Sequence, residues 1–139
     1  MPKALTRLPD WDRRLARVTE KHMALPGVWG ESDCLLTVAD AIEAVTGKDL
    51  AVRIRGKYSS EIGAAKLMRR RGCANVEEVL AKRFPPVGRL LAKRGDVGTV
   101  ERQGVLAAGY ITEYGMAVKT ERGLEFVPQT DIRSAYQVG

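Results

Sequence analysis

The stretch from Pro26 to Gly47, PGVWGESDCLLTVADAIEAVTG, constrains the rest of the chain most, because it joins a glycine-bearing turn to one apolar helix that other elements must cover. Leu35, Val38, Ala39, Ile42 and Val45 recur at the spacing of one helical face, and Gly47 follows the last of them as a stop. Ser32 or Asp33 is expected to cap the start, since a short side-chain oxygen there accepts a hydrogen bond from an amide the helix leaves unpaired. Cys34 then takes the first or second helical position. Unpaired amides and the helix dipole favour negative charge at that place, so the spacing predicts a thiolate that forms more readily than in a free cysteine, and Cys34 is a candidate nucleophile. Trp29, in the turn before the helix, can wall a cleft, and Gly30 permits close backbone approach. The structural alternatives at the same positions are a buried, inert cysteine and a tryptophan that plugs the core.

A chain of 139 residues is expected to form one domain, with a helical part over about 9–84 and a β-rich part over about 94–139. Its 45% hydrophobic and 29% charged residues are ordinary for a soluble globular protein, and no apolar run approaches membrane-spanning length. The first residues, MPKALTRLPDWDRR, lack the apolar core of a secretion signal, so synthesis in the cytoplasm is expected. Two cysteines and one histidine are too few for a disulfide framework or a zinc site, and neither a metal nor a cofactor is expected. Cys73, just after Gly72, reads as structural. The net charge of +6 raises nucleic-acid binding, but the cations are dispersed apart from Arg69, Arg70 and Arg71, and aromatic content is only 6%, which offers no stacking platform. A solvated basic face, or one that docks on an acidic neighbour, is the favoured account.

Taken in order, Asp10 is expected to cap a helix through WDRRLARVTEKHMAL that Pro26 and Gly27 end. His22, the only histidine, lies on or beside its apolar face; packing is its default role, although its titration range makes it the sole neutral-pH base candidate. KDLAVRIRGKYSS reads as an irregular connector with one short extended piece. Ser59 or Ser60 opens a weaker amphipathic helix that Gly72 stops, and Asn75 with Glu78 forms a capping box before VEEVLAKRF, which Pro85 and Pro86 terminate. From Arg94 the pattern changes to alternating and apolar runs punctuated by glycine, which predicts three or four antiparallel strands in a small meander or partial barrel. TDIRSAY is expected to close the chain as a short helical turn capped by Thr130. Helices first and strands second indicate the α+β class.

The order WGESDC at a helix start, then RGKYSSEIGAAKLMRRRGC, then RGDV opening the sheet and a closing GLEFVP, resembles a group of small bacteriophage proteins encoded among tail genes. That group in turn resembles the NlpC-type cell-wall cysteine peptidases of the papain-like superfamily, and the likeness runs from Trp11 to Tyr136. It implies that Asp33-Cys34 opens a helix packed on a small barrel and that Gly95-Asp96 starts the first barrel strand. In the active peptidases a histidine begins the next strand in a pattern like His-Val-Gly-Ile, where this chain has Ala107-Ala108-Gly109-Tyr110. A thiol nucleophile needs a partner that takes up and returns its proton, and alanine supplies none. His22 is the remaining candidate for that role.

The expected function is therefore a structural or assembly component of a phage tail tip or baseplate, built on a degenerate NlpC-like domain and partnered by other tail proteins. Trp29, Gly30, Asp33 and Asp96 are its candidate binding residues. The alternative is a peptidoglycan-cleaving hydrolase in which Cys34 attacks a stem-peptide carbonyl during infection, and charge-driven nucleic-acid contact is the weaker third. Localisation follows as bacterial cytoplasm and then the virion.

Overall fold

The computed structural model describes residues 5–139. Four helices precede a sheet: α1 (Trp11–Met23), α2 (Cys34–Thr46), α3 (Glu61–Arg70) and α4 (Val76–Arg83), then β1 (Pro86–Val87), β2 (Val97–Arg102), β3 (Val105–Thr112), β4 (Gly115–Lys119), β5 (Leu124–Val127) and β6 (Ser134–Tyr136). The chain is α+β, as its patterning predicts.

Each helix start and stop has a local cause. Asp33, Ser60 and Asn75 accept hydrogen bonds from Leu36, Gly63 and Glu78 amides, and Gly47 takes the left-handed conformation that ends α2. The capping box of α4 is offset by one residue, since the Glu78 carboxylate accepts from the Ala74 amide. Asp10 departs from expectation: it stands at the start of α1 without a side-chain cap bond.

The sheet has the strand order β1-β6-β2-β3-β4-β5 and its described pairings are antiparallel, so β1 and β5 are open edges. The meander β2 to β5 is the predicted part. The expected final helical turn is instead a short 3-10 turn, Gln129–Asp131, followed by β6, which inserts between β1 and β2. The connector 47–60 folds mainly as successive turns, with Ile54 and Arg55 amides donating to the Ala51 carbonyl, and contains no strand.

One face of the sheet carries the main core. Leu15 of α1, Val38, Ile42 and Val45 of α2, and Val76 and Leu80 of α4 pack on Val97, Ala108, Tyr110 and Ala117. The other face gathers Val100, Ile111, Met116, Val118, Val127, Ile132 and Ala135. Both sides being apolar, the strands read as glycine-punctuated apolar runs more than as clean alternation. α2 is covered on most of its circumference, by α1 on one side and β3 on another, which is what its composition demands.

Candidate functional site

The turn before α2 is built by side chains bonding to backbone. The Ser32 hydroxyl donates to the Pro26 carbonyl at 2.7 Å and accepts from the Val28 amide at 3.0 Å. Asp33, 6% exposed, uses both carboxylate oxygens: Oδ1 accepts from the Leu36 amide at 3.0 Å, and Oδ2 accepts from the Gly30 amide at 2.9 Å and the Tyr58 hydroxyl at 2.6 Å. Burial pushes the Tyr58 phenol up, and its bond to Asp33 pushes it further, so this hydroxyl stays a donor. Asp33 is thus a structural keystone of the turn, and nothing in the chain's patterning marks Tyr58 as its partner.

Cys34 is the first residue of α2, half-buried against the main core. Its thiol is not the easily ionised group that its helix position predicts. Burial pushes it up to about 11; the Ala108, Leu35 and Cys34 amides near the sulfur pull it back, while the Asp33 carboxylate raises it. Desolvation of the thiolate outweighs the favourable amides, because a helix end helps an anion only as far as the site stays polar enough to hold one.

The side chains facing that sulfur follow from the pleat of β3. Leu106, Ala108 and Tyr110 point to the helices, whereas Ala107 packs with the opposite cluster. The residue whose side chain lies on the cysteine's side of the sheet is accordingly Ala108, a methyl group, rather than the first alanine of the pair.

His22 is brought to a different place. It is fully buried, and its Nε2 lies 2.8 Å from Asp40 Oδ2; Asp40 Oδ1 accepts from Arg55 at 2.7 Å, and Arg55 also donates to Asp49 at 3.0 Å. Asp40 follows Cys34 by six positions on α2, about 9 Å along the axis and roughly 120° around it. The structure therefore does not join His22 to Cys34. Burial raises the Asp40 carboxyl, but hydrogen bonds from His22 and Arg55 with the Arg55 charge outweigh it and hold the group below the ordinary aspartate range. A carboxyl depressed in the folded state contributes stability that is complete above its unfolded value of about 3.9 and is lost as pH falls through the folded one. Asp40→Asn is expected to cost about 2 kcal/mol at neutral pH and to flatten the loss of stability below pH about 4, measured by urea denaturation across pH.

Trp29 does line a cleft, and at 42% exposure it stands at the mouth rather than in the core. The cleft encloses about 990 Å³ between α2, residues 48–58, α3 and α4, and Cys34 and Asp33 lie on its wall. Asp96 does not belong to it. Its carboxylate, on a residue 1% exposed, accepts from Arg7 and the Val138 amide at 3.0 Å and from the Lys93 amide at 2.9 Å, and so ties both ends of the chain to the start of β2. Among the described residues no helix is long and apolar enough to cross a membrane.

A family described as a domain of unknown function, DUF6950, matches residues 6–138. Neither a curated protein nor a solved structure matches the chain.

Proposed function

The chain belongs to the DUF6950 family, and from that premise we propose that it is a degenerate NlpC-like domain working as a structural or assembly component of a bacteriophage tail tip or baseplate. The observation that supports this reading is the state of Cys34: its thiol is held protonated by burial, the β3 side chain beside it is Ala108, and the chain's single imidazole is engaged by Asp40. Acyl transfer from sulfur requires a group that holds the thiolate and then protonates the leaving amine, and among the described residues no such group acts on this sulfur. Asp33 is occupied by three donors. The phage setting itself rests on the sequence resemblance, and the charge of +6 suits docking on acidic sibling proteins.

One feature favours the hydrolase reading, namely a cysteine at a helix start on the wall of a cleft. Alkylation separates the two. In a Cys73→Ala background, iodoacetamide is expected to label Cys34 roughly a hundredfold more slowly at pH 8 than an exposed cysteine, with a rate that climbs toward pH 11 and no shoulder near neutrality. Rapid labelling at neutral pH that disappears in His22→Ala, together with muropeptide cleavage dependent on Cys34, would replace the scaffold reading by the enzymatic one. Fixed stoichiometry of the chain in purified virions is the expected result for a tail component.

A further inference from the structure

We propose that the cleft between α2, α3 and α4 is a binding site for an aliphatic anion, a molecule with a long hydrocarbon chain and a negatively charged head. Val38, Ile42, Leu50, Met68, Leu80 and Leu106 supply a hydrocarbon lining, and a volume of about 990 Å³ is at the upper end of ordinary small-molecule sites. α3 contributes to the wall without burying any residue of its own. Leu67 and Met68 on that helix stay half-exposed and line the cleft, so an occupant gains by covering apolar surface.

Charge at the rim selects the head group. Lys48, Arg53, Arg71, Lys82 and Arg83 line the cleft and are exposed, and none forms an ion pair among the described residues. The carboxylates on the same lining are mostly spent: Asp33 on its turn and Tyr58, Asp49 on Arg55, with Glu61 alone uncommitted. An anion is attracted to this rim and a cation is repelled. The hydrocarbon lining comes mainly from buried and half-buried side chains of α2, α3 and α4, which suits a single thin chain, and an acidic amphipathic helix, about 10 Å across, is the competing occupant that the test separates. The site goes beyond the assembly role and stands whether or not Cys34 reacts.

Isothermal titration calorimetry of the full chain with laurate, below its micelle-forming concentration, tests the proposal. Saturable binding of about one laurate per chain is expected, roughly tenfold weaker in the exposed double variant Arg71→Glu, Arg83→Glu, with dodecyltrimethylammonium, equal in chain length, weaker by a similar factor. Ala65→Trp, which places an indole in the cleft from the half-buried inner side of α3, is expected to abolish it. If that variant does not fold, the charge variant decides. Flotation with phosphatidylglycerol vesicles distinguishes the source: association with vesicles assigns a membrane lipid, and laurate binding without it assigns a free acid. No saturable laurate binding, equal affinity for the two head groups, or binding of an acidic amphipathic peptide while laurate is ignored would overturn the proposal.

Discussion

Asp96→Ala is expected to lower the unfolding free energy by about 3–5 kcal/mol, read from urea or guanidinium titration. The reason is what the carboxylate leaves behind. Arg7 keeps its guanidinium bonded to the Arg94 and Val138 carbonyls, so it stays folded against the start of β2 as a largely buried charge that has lost its counterion. The Val138 and Lys93 amides lose their acceptor in the same step. Asp96→Asn keeps one carbonyl acceptor and is expected to cost less. Amide exchange at Val138 provides the local readout, since its protection depends on that one acceptor. Because Asp96 lies outside the cleft, laurate binding by the folded fraction and the alkylation profile of Cys34 are expected to stay as they are. A loss below about 1 kcal/mol would mean that the tie between the termini contributes little to folding.

Gly30→Ala is the second large effect, expected at about 4 kcal/mol in the same titration. Gly30 has φ of +82°, where an L side chain costs about 1–2 kcal/mol by itself. A Cβ there would also stand well inside contact distance of the Tyr58 carbonyl, which is backbone and has no rotamer to give. The turn and residues 55–58 pack this closely because the Gly56 amide donates to the Gly30 carbonyl at 2.9 Å and Tyr58 bonds Asp33. Gly56→Ala is the control that divides the two causes. Gly56 has φ of +72° with nothing within 4 Å of an added Cβ, so that variant carries backbone strain alone and is expected to cost about 1–2 kcal/mol. Equal losses in the two variants would show that the close approach to Tyr58 relaxes freely.

Gly30 and Asp96, candidate binding residues by sequence, both make hydrogen bonds that hold the frame. That outcome has a common physical cause. A buried carboxylate or a glycine in a tight turn looks the same along the chain whether it serves a ligand or the backbone, because the chain does not reveal what comes to it from far away. Asp96 meets Arg7 and Val138, and Asp33 meets Tyr58, across separations of 89, 42 and 25 positions. Trp29 lines the cleft, but the residues opposite it come from α3 and α4, so its place there is also set by tertiary packing.

Local chemistry alone determined a good deal of this protein. Helical spacing, the Asp33, Ser60 and Asn75 caps and the Gly47 stop are interactions within four residues, so the four helices and the α+β order could be read directly. The β2 to β5 meander was legible for the same reason, its strands being joined by short glycine turns. Tertiary structure decided the rest. β1 and β6, two and three residues long, exist only because they pair with each other and β6 pairs with β2, and segments that short carry no period of their own. The pleat of β3 decided that Ala108 rather than Ala107 faces the cysteine, and the covering of α2 decided that its thiol is hard to ionise. Helix position predicts an activated sulfur from amides one turn away; burial depends on every element that packs around it, and here desolvation is the larger effect.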